Sequence, residues 1–151
     1  MIKVNVESNS RSWHYRIKNP RKYFKKKLIK INKIVNFFKG KKIIFTILLT
    51  DSSNMKKLNK KYRKMNKPTD VLSFPFFSTK SLKLIKEKKI YIGDIATSYE
   101  IINFRSKKNS FFLEFDKVWV HGLLHLLGYD HIRDVDYNRM NKIEKRILNS
   151  I

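Results

Sequence analysis

The chain has 151 residues, 42% hydrophobic and 13% aromatic, with no cysteine and a formal net charge of +23. That composition fits one folded domain, residues 1–151, and excludes disulfides and thiolate metal sites, so a reducing compartment is permitted. The longest apolar stretch, Ile43 to Leu49, is far short of a membrane span, so a soluble cytoplasmic protein with no membrane partner is expected.

In chain order, residues 1–7 alternate as a strand and carry no apolar signal core. His14, between Trp13 and Tyr15, reads as a surface or strand histidine. Pro20 fits the first position of a helix, which Tyr23, Phe24, Leu28, Ile31, Ile34 and Val35 extend at helical spacing to about Phe38; its lysine-rich face is solvated. Gly40 ends it, and Lys42–Thr50 is a buried strand. Asp51, Ser52, Ser53 and Asn54 supply N-cap candidates for a helix over 53–64 that carries Tyr62 and Arg63. A turn over Asn66–Thr69 leads into a short strand, Asp70–Phe76, ending at Pro75. Lys80–Lys89 is a charged connection with room for a helical turn, and Ile90–Ser98 is a strand interrupted at Gly93-Asp94. A helical segment starts near Tyr99 and breaks at Lys107-Lys108-Asn109. Ser110 can cap a long apolar helix with Val118, Val120, Leu123, Leu124 and Leu127. A last amphipathic helix over 135–149 turns Met140, Ile143, Ile147 and Leu148 inward. Mixed strands and helices in this order make an α+β fold: one small sheet packed with several helices.

Three of the four histidines lie in the run His121-Gly122-Leu123-Leu124-His125-Leu126-Leu127-Gly128-Tyr129-Asp130-His131. On a helix, positions i and i+4 share a face and stand about 6 Å apart along the axis. His121 and His125 can then point at one ion. Gly128 can stop the helix in the left-handed conformation, and the returning chain can present His131 from a third direction. Three imidazoles leave a tetrahedral ion one open position, the arrangement of a catalytic zinc; the plainer account is histidines in the core of an apolar helix. The metzincin proteases share this spacing, but place a general-base glutamate after the first histidine. Gly122 stands there in this chain, so a peptidase-like hydrolase is disfavoured.

The charge, with a pI of about 10.3, favours polyanions such as RNA, DNA or acidic membrane. The same excess of Lys over Arg, with abundant Asn and Ile, is also what A+T-rich coding produces. Composition leaves both accounts standing.

Leu58–Arg63 followed by Lys67-Pro68-Thr69-Asp70-Val71-Leu72-Ser73-Phe74-Pro75, then Ile92-Gly93-Asp94-Ile95, then His121 through His131, together resemble the YbeY family of bacterial endoribonucleases. The resemblance runs from about residue 42 to the end; Asn66 departs from it, standing where the family commonly has an acidic residue. It implies a small mixed sheet and one zinc ion on His121, His125 and His131 at the floor of a cleft. It also implies catalytic roles for Arg63 and His121. The implied activity is single-strand-specific cleavage of RNA, in maturation of the 3′ end of small-subunit ribosomal RNA and in ribosome quality control, with the ribosome or its small subunit as partner. Arg63 can supply a bidentate charge to phosphoryl oxygens, although a surface helix arginine is the commoner fate. Ser73 can contact substrate or be a buried strand serine. Asp94 and Asp130 can each orient a histidine, or serve only as a turn residue and a helix-end cap. The competing function is a non-catalytic ribosome-assembly or RNA-binding factor in which zinc is structural.

Overall fold

The computed structural model describes residues 1–35, 40–130 and 133–151. Its elements are β1 (Ile2–Ser8), α1 (Ser12–Arg16), α2 (Pro20–Ile34), β2 (Lys42–Thr50), α3 (Ser52–Arg63), β3 (Val71–Pro75), α4 (Thr79–Leu84), β4 (Lys89–Ser98), α5 (Tyr99–Arg105), α6 (Phe111–Leu126) and α7 (Asp134–Leu148). The four strands form one mixed sheet in the order β1-β2-β4-β3. β1 and β4 each run parallel to β2, and β3 closes one edge antiparallel to β4.

Strict alternation in β2 decides the layers. Ile43, Phe45, Ile47 and Leu49 are buried on one face and belong to the main core with Phe24, Leu28 and Ile31 of α2 and Phe115, Trp119 and Leu123 of α6. On the other face Met55 of α3 meets Leu72 and Ala96, with Leu48, Leu58 and Phe74 at its margin. The sheet is therefore covered by α2 and α6 on one side and by α3 on the other.

Several expected ends hold because their caps are real. The Asp51 carboxylate accepts from the Asn54 N–H at 2.8 Å and starts α3. Lys64 ends it in the left-handed region (φ 61°), and Asn59 Nδ2 donates to the Lys67 carbonyl at 2.7 Å, so the following turn is held by the helix and not by position 66. Other ends move. α2 stops at Ile34, where Val35 is already extended; Phe38 lies outside the described residues. Residues 12–16 are helical where no helix is expected, so His14 is an exposed helix residue rather than a strand one. Tertiary contact explains this short helix. Trp13 is fully buried, donates from Nε1 to the Thr50 carbonyl at 2.9 Å and meets Tyr99, Phe111 and Phe115 edge-on or tilted. β4 is continuous through Gly93-Asp94; the expected interruption is a bulge, with Tyr91 opposite Ile44, Gly93 opposite Phe45 and Ile92 extra.

One buried polar cluster ties α2 to α6. Asp116 accepts from Tyr23 Oη at 2.6 Å, Trp119 Nε1 at 2.8 Å and Lys27 Nζ at 2.7 Å. Burial first, then the adjacent carboxylate, pushes the Tyr23 phenol well above its ordinary range, so it remains a donor. Removing the acceptor strands three donors, one of them charged. Asp116→Ala should therefore lower unfolding free energy by about 3 kcal/mol or more, read from urea denaturation. A loss under about 1 kcal/mol would show that α2 and α6 hold together without this carboxylate.

Candidate active site

α6 is apolar almost all round. Its residues from Phe115 to Leu126 are buried except Lys117 and two half-buried positions, His121 and His125. The one-turn spacing brings their rings edge-to-face with centroids 4.7 Å apart and Nε2 to Nε2 at 3.1 Å. Each Nδ1 has an oxygen partner. His125 Nδ1 lies 3.1 Å from the Tyr129 carbonyl, which can only accept, so this nitrogen carries the proton. His121 Nδ1 lies 3.1 Å from Glu144 Oε1 on α7 and donates to that carboxylate. In their neutral forms both imidazoles consequently turn Nε2 lone pairs toward the same small space.

That arrangement fits a metal ion. Two nitrogens bound at about 2.0–2.1 Å around a tetrahedral centre stand about 3.3 Å apart, close to the separation found here. Two Nε2 atoms at this separation on one helix face are placed to share an ion. His131, the expected third ligand, lies outside the described residues. Among the described residues no group of three or more metal-ligating side chains is assembled.

The turn after α6 is built as the glycine spacing implies. Gly128 adopts φ 84°, its N–H donates to the His125 carbonyl at 3.0 Å, and the Tyr129 N–H donates to Leu124 at 3.0 Å. This is what carries the Tyr129 carbonyl back over His125.

The histidines face an open cleft of about 800 Å³, whose lining also includes Arg63, Ser73, Phe76 and Asp130. Arg63 is the last residue of α3 and exposed. The fold thus brings Arg63 into one cleft with His121 and His125, across 58 positions of sequence to the nearer histidine. Ser73 donates to the Gly122 carbonyl at 3.2 Å, tying β3 to α6 within the cleft. Asp94 takes no part. The bulge sets it on the opposite face of the sheet from α6, where the Tyr91 hydroxyl donates to it and Thr46 Oγ1 lies 2.8 Å from that hydroxyl. Its neighbour Ile95 points to α6 instead. Glu144 orients His121 in the way expected of Asp94. Sequence patterning offers little to find it, because it is one polar residue in an amphipathic helix, 23 positions from its partner.

Gly122 explains how α6 approaches so closely. A Cβ there would lie 3.1 Å from Ile95 Cγ2, 3.1 Å from Ser73 Oγ and 3.2 Å from Val71 Cγ2. The residue that lacks a general base is also one where a side chain would have to push its neighbours aside.

Fold and site together define an α+β protein with a paired-imidazole cleft beside its antiparallel edge strand. A family model described as endoribonuclease YbeY matches residues 5–151. The chain is 45% identical to endoribonuclease YbeY of Pelagibacter ubique, the alignment covering 100% of this chain and 97% of that protein. It is 30% identical to the Thermodesulfovibrio yellowstonii protein of the same name, with 99% of each chain covered. A solution structure from Thermotoga maritima superposes with a TM-score of 0.63 at 25% identity, over 99% of this chain and 88% of that one. The chain belongs to the endoribonuclease YbeY family.

Gly122→Ala tests the packing. It should cost about 1–3 kcal/mol of stability and shift the imidazole NMR signals of both His121 and His125. Parental stability with unshifted imidazole signals would mean that α6 does not depend on this contact.

Proposed function

We propose that this protein is a single-strand-specific, zinc-dependent endoribonuclease. In this reading it acts in the cytoplasm on the 3′ end of small-subunit ribosomal RNA during late maturation, and in ribosome quality control, with the small subunit or ribosome as partner. The observation that carries the reading is the meeting of Arg63 with the His121–His125 pair in one open cleft, in a chain of the endoribonuclease YbeY family.

His121 and His125 would hold the ion through Nε2, with His131 as the expected third ligand. When bound, the ion would supply Lewis-acid stabilisation of charge developing on phosphoryl oxygens. The protein's own residues do the rest. Glu144 and the Tyr129 carbonyl accept from the two Nδ1 atoms, fixing the ring orientations with both Nε2 atoms directed into the cleft. Arg63 offers a planar fork of charged N–H groups matched to phosphate oxygens. Glu144 meets His121 at Nδ1, on the side of the ring away from Nε2, so it orients the ligand rather than occupying an ion's free position. This favours catalysis over a purely structural zinc. The crowding at Gly122 likewise disfavours a peptidase-type glutamate there, whose Cβ would press on Ile95, Ser73 and Val71.

Two measurements test this. His125→Ala should abolish stoichiometric zinc in the purified protein and lower its thermal midpoint, because metal binding energy adds to folding energy; retention of one zinc per chain would remove the proposed ligand set. Arg63→Ala should keep the fold and zinc but lose cleavage of single-stranded RNA by about 2–4 kcal/mol of transition-state stabilisation. Arg63→Lys should recover little, since a point charge does not replace a fork. Parental cleavage by Arg63→Ala would strip this residue of its role. A protein of charge +23 binds nucleic acid of any kind at low salt, so cutting and not binding is the criterion.

A further inference from the structure

Phe76 is 69% exposed and stands at the rim of the cleft that holds Arg63 and the histidine pair. Single exposed apolar residues are ordinary on protein surfaces. Three features set this one apart. First, its backbone is held by the bulge in β4: the Phe76 N–H donates at 2.9 Å to the carbonyl of Ile92, the extra residue of that bulge. Gly93 makes the approach possible. It adopts φ 130°, and a Cβ there would strike the Phe74 carbonyl oxygen and lie 3.0 Å from the Phe76 nitrogen. Bulges beside active sites commonly re-aim a side chain. Second, the ring is braced edge-on by Phe77 at 5.0 Å and by Tyr91 at 6.3 Å, yet remains largely in solvent. Third, the cleft also receives Arg63 from the end of α3, where Lys60, Lys61 and Lys64 are exposed beside it.

A braced, solvent-facing ring in a cleft that also carries positive charge is the pairing that binds single-stranded nucleic acid: charge tracks the backbone and the ring stacks a base. We infer that Phe76 is a base-stacking platform for the nucleotide next to the one held at the Arg63–histidine site. The inference rests on the RNA reading of that site and adds the residue that would make it select unpaired strands. A base inside a duplex is already stacked on its neighbours, whereas an unpaired base can turn onto the ring. Stacking is indifferent to base identity, so Phe76 selects strandedness and not sequence.

The experiment compares the parent protein with Phe76→Ala, Phe76→Leu and Phe76→Trp, at near-physiological salt. Single-stranded RNAs carry 2-aminopurine at one position at a time. In the parent and Phe76→Trp, one position should be quenched on binding, and Phe76→Ala and Phe76→Leu should lose that quenching. Cleavage of unlabelled RNA by Phe76→Ala should fall by roughly 5- to 150-fold in kcat/KM, mostly through KM, with Phe76→Trp restoring it. An abasic nucleotide at the quenched position should slow the parent to the level of Phe76→Ala and slow Phe76→Ala no further. The thermal midpoint should not move. Quenching identical in the parent and Phe76→Ala, or full retention of both readouts in Phe76→Leu, would overturn the inference. Fluorescence does not require bond cleavage. RNA quenched through Phe76 but never cut would therefore support this platform while removing the nuclease reading. RNA cut equally fast by Phe76→Ala, with unchanged KM, would do the reverse.

Discussion

The approach of α6 to the sheet edge at Gly122 is the constraint on which the site depends. Helices and sheets ordinarily meet through side chains, and here a helix backbone comes within contact of Val71, Ser73 and Ile95 side chains. That proximity lets Ser73 hydrogen-bond the Gly122 carbonyl and brings β3 alongside the histidine-bearing turn. β3 in turn follows directly from the turn after α3, so Arg63 arrives at the same cleft. A larger residue at 122 would press on all three of these side chains.

Around that contact the fold divides its duties. The buried Asp116 cluster holds the first half of α6 to α2, in a region that is apolar apart from three donors and their acceptor. The last turn of α6 is held differently, by Gly128 and the backbone bonds that follow it. Between them the two histidines are the half-buried positions in the otherwise buried second half of the helix. Their Nδ1 atoms are committed, to Glu144 on one side and the Tyr129 carbonyl on the other. Ring orientation and tautomer are thus fixed before any ligand arrives, which reduces what binding must reorganise.

The excess positive charge plays a different part from the site. Many of the lysines lie on exposed helix faces, as along α2 and α3, where they raise the local concentration of any polyanion without choosing among them. Selection needs short-range groups: the fork of Arg63, the paired imidazoles and an aromatic surface such as Phe76. These are few and line one cleft at the edge of the sheet.

Much of this was legible in the linear chain. Alternation in residues 42–50, the Asp51 cap, Gly128 as a helix stop and the apolar periodicity of α6 are local effects, and they place β2 and the His121–His125 pair where they are observed and α3 one residue off at each end. Local rules do not reach further. The helix at Ser12–Arg16 exists because Trp13 is claimed by an aromatic core built from α5 and α6. Asp94 was a fair candidate to orient a histidine until a single extra residue in β4 fixed it on the opposite face from α6, and Glu144 took that position from a helix whose pattern marks only its inward side. The sequence by itself determined which side chains this protein has for its chemistry and the helical spacing that pairs two of them. Only the tertiary structure decided which partners those side chains meet, because a bulge, a missing Cβ and a helix crossing act between residues far apart in the chain.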